Sequence, residues 1–192
     1  IDKINELPSH PAIVKAVAVG FDQYPMNRAR EACLLMEKAQ GEELLSFDWK
    51  RSQIYERRHQ IAIRVQLIAA IFFLHSHDVV YRDMKPDNTY YNFDTKSFQL
   101  SDFGVSAIIP NGSRSDDHVG TLSYMAPEIL NYQLHDRSAD IWQLAVMMAT
   151  LATGKRPFSG EDREQKVRAY EDADARETFR DLYLKDEELF RI

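Results

Sequence analysis

The chain has 192 residues, of which 44% are hydrophobic and 28% charged, and its formal net charge is −6. Such a mix suits a globular chain able to bury a core, and the acidic balance argues against broad nucleic-acid binding. One cysteine excludes an internal disulfide and suits a reducing compartment, cytoplasmic by default with nuclear residence or secretion through a removed leader as alternatives, and no apolar run approaches the ~18 residues of a membrane span.

Ile1, Ile4 and Leu7 recur at three-residue steps and predict one face of a short helix that stops at Pro8. Residues 14–21 and 32–36 read as two strands joined by a polar loop over 23–30. Cys33 lies in the second apolar run, so a buried structural thiol is expected. Residues 56–77 predict a long amphipathic helix, with Ile61, Val65, Ile68 and Phe72, and their neighbours Leu67 and Ile71, as its apolar stripe. His75 and His77 near its end lack cysteine or clustered histidine partners and read as helix-end histidines favoured by the dipole, not as zinc ligands. Two short strands follow over 89–91 and 98–100, with a turn at 92–96. Residues 105–125 are turn-rich, residues 140–153 form an apolar helix ended by Gly154, and residues 161–188 read as charge-rich helix with a solvated outer face. There are no internal repeats and no low-complexity linkers.

The stretch Tyr81-Arg82-Asp83-Met84-Lys85-Pro86-Asp87-Asn88 packs two cations, two carboxylates and a carboxamide into eight residues. The apolar pair Val79-Val80 precedes it, and a second polar knot, Ser101-Asp102-Phe103-Gly104, follows. Pro86 fixes its own φ and biases Lys85 away from helix, so this segment is a loop. Its spacing matches H-R-D-x-x-x-x-N with Tyr81 in the first position, and Asp102-Phe103-Gly104 and Ala126-Pro127-Glu128 follow in order. One such triplet is weak evidence; three ordered blocks are strong.

On these motifs the chain resembles the eukaryotic-type protein kinases, of the serine/threonine type. The resemblance implies an α+β, protein-kinase-like fold: a remnant of the N-terminal β lobe over 1–36, a hinge over 37–43 and a mostly helical C-terminal lobe over 44–192. It further implies ATP and Mg²⁺ as cofactors, and as partner a protein substrate bearing Ser or Thr, with no nucleic acid and no membrane segment; the oligomeric state stays open. Asp83 is then the base for the substrate hydroxyl, Lys85 faces the transferring phosphoryl group, Thr121 braces both, and Asn88 and Asp102 hold the metal. Met36 stands as gatekeeper, the backbone of Glu37 and Ala39 faces the adenine edge, Glu43 reaches the ribose, and Tyr90 lies beneath the base where a leucine is common. Glu42-Glu43 also reads as a helix N-terminus favoured by the dipole.

By the same resemblance, Asp140 accepts backbone hydrogen bonds from the catalytic loop, and Tyr81 and Phe103 belong to an apolar stack between lobes. Asp117 falls near the position many of these kinases phosphorylate, where a resident carboxylate could pair with Arg82. None of the seven glycines forms G-x-G-x-x-G and no V-A-I-K segment occurs, so the 192 residues alone are expected not to turn over ATP. The alternative reading is a pseudokinase or kinase-like interaction module without turnover. A small-molecule kinase is disfavoured by the full segment from Gly120 to Glu128, which shapes a peptide-binding surface.

Overall fold

The computed structural model describes residues 6–22, 31–44, 57–153 and 155–184. The expected helix at residues 1–7 and the loop at 23–30 fall largely or wholly outside them, as does the Cys33 side chain. β1 (Ala16–Asp22) and β2 (Glu31–Met36) pair antiparallel, with an irregularity between Ala16 and Ala18. The segment before β1 is stitched to a later strand: Val14 N donates to Leu100 O and Leu100 N to Ala12 O, both at 2.9 Å.

A three-stranded antiparallel sheet follows, in the order β3 (Glu42–Glu43), β5 (Thr89–Asn92), β6 (Ser97–Leu100). Glu42 and Glu43 thus lie in a strand opposite Tyr91 and Tyr90, directly before Leu44, where a helical turn begins. The cause sits one residue earlier. Gly41 has φ +97° and packs so closely on β5 that a Cβ there would come within 2.4 Å of the Tyr91 backbone, which pins the next two residues alongside β5.

α1 (Arg57–Ser76) is the expected long helix. Its buried face is Ile63, Leu67, Ala70, Ile71 and Leu74, all fully enclosed. Each of the Ile and Leu side chains contributes about 1.5–3 kcal/mol of burial. The predicted stripe is therefore corrected: Leu67 and Ile71 face inward, but Ile61, Val65 and Phe72 are 41%, 49% and 64% exposed, and Ile68 is half-buried at the core's edge. The helix is apolar on more than one face, so periodicity alone could not choose between stripes.

β4 (Val79–Val80) pairs antiparallel with β7 (Ala107–Ile108), enclosing the polar loop between them in sequence. α2 (Pro127–Leu130) starts with proline, whose missing N–H costs nothing at a helix start. α3 (Ser138–Thr153) packs against α1 and supplies Leu144, Val146, Met147 and Leu151 to the core. The expected helical region at 161–188 is two helices, α4 (Arg163–Glu171) and α5 (Ala173–Leu184). Asp172 separates them in extended conformation, and its carboxylate accepts from Ala175 N at 2.8 Å. Trp142, Phe158, Tyr170 and Phe179 form one aromatic cluster joining α3 to α4 and α5, with ring centroids 4.7–5.8 Å apart. Among the described residues no helix is long and apolar enough to cross a membrane.

Candidate active site

The polar loop leaves β4 and is gripped at once by α3. Asp140, fully buried in the first turn of α3, accepts from Tyr81 N at 2.8 Å and Arg82 N at 2.7 Å. Its Oδ2 also meets His75 Nε2 at 2.8 Å. One turn further, Gln143 accepts from Met84 N and donates to Arg82 O, each at 2.8 Å. These contacts hold Arg82 at φ +71°, a region a non-glycine residue occupies only when its surroundings impose it. His75 is the expected helix-end histidine, in the last turn of α1, but it is buried, 8% exposed, and bonded to Asp140. Neither His75 nor Gln143 was visible as a site-supporting residue in the sequence, though Gln143 is a lone polar residue in an apolar helix.

Beyond Arg82 the side chains converge. Thr121 donates its hydroxyl hydrogen to Asp83 Oδ1 at 2.6 Å and accepts from Lys85 Nζ at 2.9 Å. Lys85 Nζ also lies 2.9 Å from Asp83 Oδ2. Asn88 Nδ2 donates to Asp83 Oδ2 at 3.0 Å and to Asp83 O at 2.9 Å. Burial alone would raise the Asp83 carboxyl, but the hydrogen bonds from Thr121 and Lys85, the Lys85 charge and the Asn88 amide together hold it below the usual carboxylate range. Asp83, Lys85, Asn88 and Thr121 are therefore one knot, drawn from the loop and from the segment 38 residues further on.

Thr121 reaches the knot because Gly120 precedes it. Gly120 has φ +111°, and a Cβ there would meet Arg82 O at 2.5 Å. Arg82 fastens the same segment at two further points, donating through Nε to Val105 O at 2.6 Å and through Nη1 to Asp117 Oδ2 at 2.7 Å.

Asp102 follows a residue tied to the loop: Ser101 N donates to Asn88 O at 2.9 Å. Asp102 is exposed, has φ +53°, and accepts Gly104 N on Oδ1 at 3.0 Å. The amide of Asn88 commits its nitrogen to Asp83, so its oxygen is the atom it can offer a cation. A carboxylate and an amide oxygen are hard donors that fit Mg²⁺. The Phe103 ring packs edge-on against Tyr81 at 5.4 Å, the expected apolar pairing.

Glu43 and Tyr90 face each other across β3 and β5, both half-buried. Met36 ends β2, and Glu37 and Ala39 lie on the segment joining β2 to β3. That segment is tied to β6 through Gln40 N and Gln99 Oε1 at 2.7 Å, not to the Asp83 knot. Glu37 N already donates to Lys15 O at 2.9 Å, which leaves its carbonyl as the group it can present to a ligand.

A family model described as the protein kinase domain matches residues 1–189. The chain belongs to the protein kinase family. This kinase chain is 34% identical over 181 residues to a developmentally-regulated protein kinase 1 of Dictyostelium discoideum, covering 93% of the chain and 24% of that protein. It is 32% identical over 160 residues to human ribosomal protein S6 kinase alpha-2, covering 83% and 21%. It is 30% identical over 138 residues to serine/threonine-protein kinase 17A of Oryctolagus cuniculus, covering 70% and 35%. The kinase chain thus spans between about a fifth and a third of the length of these relatives. Its α+β fold is that of a protein kinase domain, and the family uses ATP and Mg²⁺.

Proposed function

We propose that this chain carries the catalytic half of a serine/threonine protein kinase, transferring the ATP γ-phosphoryl group to a protein hydroxyl. The observation that carries the reading is the Asp83, Lys85, Asn88 and Thr121 knot: a carboxylate kept ionised, beside an ammonium, on a backbone held from below by α3. Phosphoryl transfer asks a protein chiefly for positioning and charge neutralisation. Asp83 orients the acceptor hydroxyl and takes its proton at a carboxylate oxygen. Lys85 offsets charge on the moving phosphoryl group, and Thr121, bonded to both, fixes the Asp83–Lys85 ion pair in place. Asn88 and Asp102 would hold Mg²⁺, which when bound neutralises phosphate charge and fixes the nucleotide's tail. Residues 37–43 serve as hinge, with the Glu37 carbonyl and Ala39 backbone facing adenine, Met36 behind it, and Glu43 and Tyr90 at the ribose and base. Residues 1–36 then belong to the N-terminal lobe and 44–192 to the C-terminal lobe. The substrate is a Ser/Thr protein, in a reducing cytoplasmic or nuclear compartment.

The decisive experiment compares wild type with Asp83→Asn in the longest natural form of the protein, using ATP, Mg²⁺ and a Ser-containing protein substrate. The expected result is a loss of kcat of at least ~10²-fold with nucleotide affinity little changed. Nucleotide binding with no turnover in wild type would establish a non-catalytic module instead, and a loss under threefold in the variant would remove Asp83 from the role of base.

A further inference from the structure

The loop between α2 and α3 holds a histidine that the site does not use. His135 is 1% exposed, and among the described residues neither of its ring nitrogens has a hydrogen-bond partner. Its main chain is fully engaged: His135 N donates to Ser115 O at 2.9 Å, and His135 O accepts from Ser115 N at 2.8 Å. The backbone therefore clamps the tip of the segment that carries Thr121, while the ring fills a sealed space beneath the clamp. Ser115 in turn accepts Asp117 N on Oγ at 3.1 Å, so clamp and Arg82–Asp117 pair are neighbours on one short stretch.

A neutral imidazole must carry one N–H, and native proteins rarely leave such a donor buried and unpaired. A second proton would add a second unpaired donor and a charge. The charged and titratable groups facing the ring come from three elements: Arg82 from the catalytic loop, Asp117 and His118 from the clamped segment, and Glu128 from α2. Arg82 and His118 oppose protonation, and Asp117 and Glu128 favour it. Burial, the largest influence, acts with Arg82 and His118 and holds the imidazole below its ordinary value.

We propose that His135 is a proton-operated release for this segment: the ring stays in its pocket only while uncharged, and on taking a proton from solvent it leaves, breaking the Ser115–His135 bridge and freeing residues 113–118. The sign follows from linkage. In the released form the ring titrates near ~6.5, and in the clamped form lower, so the clamp is intact above that pH and weakens as pH falls below it. The weakening reaches up to about tenfold per pH unit. The device is independent of phosphoryl transfer, so its failure would leave the catalytic reading untouched.

Amide hydrogen exchange of Ser115 and His135, corrected for intrinsic rates, tests it in the 192-residue chain with no nucleotide added. Between pH 7 and pH 5.5, protection of these two amides is expected to fall several-fold more than that of Ile129 or Leu130 in α2. His135→Phe is expected to abolish this extra fall, and His118→Ala to keep it. Should His135→Phe fail to fold, NMR titration of the His135 ring in wild type decides: a midpoint below ~6.5, coincident with the loss of amide protection, supports the release. A ring that titrates at or above ~6.5, or amide protection whose pH profile is the same in wild type and His135→Phe, would overturn it.

Discussion

Arg82 is a guanidinium with little freedom left. Its backbone sits in a left-handed conformation under Asp140 and Gln143, and its side chain is shared between Val105 O and Asp117. Asp117 is drawn below the usual carboxylate range first by its hydrogen bond from Arg82, then by the Ser115 contact and the Arg82 charge. Its side chain is 55% exposed, so the pair adds little to global stability and acts on local order. Asp117→Ala is accordingly expected to leave the melting temperature within about 1 °C while lowering basal phosphotransfer several-fold, checked by calorimetry and a steady-state assay on the same preparations. At this scale Asp83, Lys85, Asn88 and Thr121 were legible, because their types recur at fixed offsets within ordered motifs. His75 and Gln143 were not, because their partners lie about 60 residues away and only α3 packing brings them together.

Among the elements, the segment ending at α2 depends on a close backbone approach. Gly120 combines φ +111° with a Cβ direction that points into Arg82 O at 2.5 Å, so any side chain must push the segment off the catalytic loop. Gly120→Ala is expected to cost about 2 kcal/mol or more in denaturant unfolding and to lower kcat through Thr121, with the loss concentrated in exchange protection of residues 121–125. The contrast with α1 shows what patterning can and cannot decide. The helix was evident from its length and lack of breakers, yet its core face was not, because Ile61, Val65, Ile68 and Phe72 offer as good a 3.6-residue repeat as Ile63, Leu67 and Leu74. Likewise the Glu42–Glu43 strand exists because β5 accepts it, which local acidity argued against.

For the whole molecule, one buried charge lies outside the catalytic loop. Lys166, on α4 beneath the aromatic cluster, is fully enclosed, and its ammonium bonds Phe158 O. Burial pulls it down to about 8, with the Arg156 charge adding to the effect. A lysine whose folded value is lowered favours the native state more as pH rises, so wild type should gain stability between pH 8 and pH 9.5 relative to Lys166→Met. At pH 7 the Met variant is expected to be the more stable by about 1–3 kcal/mol, read from urea midpoints across that range. The charge buried against Phe158 was not legible, since α4 reads in sequence as part of a charge-rich helix with a solvated outer face. The two-residue pairing of β4 with β7 has a consequence of its own. Val79–Val80 meets Ala107–Ile108, and Ile109 N reaches back to Asp78 O, so residues 81–106 form a purse drawn shut at its neck. A protease cut at the exposed turn of residues 94–96 would open the purse without untying it. The two halves would stay laced through β4–β7 and the grip of Asp140, and the knot around Asp83 would outlive the break in the chain.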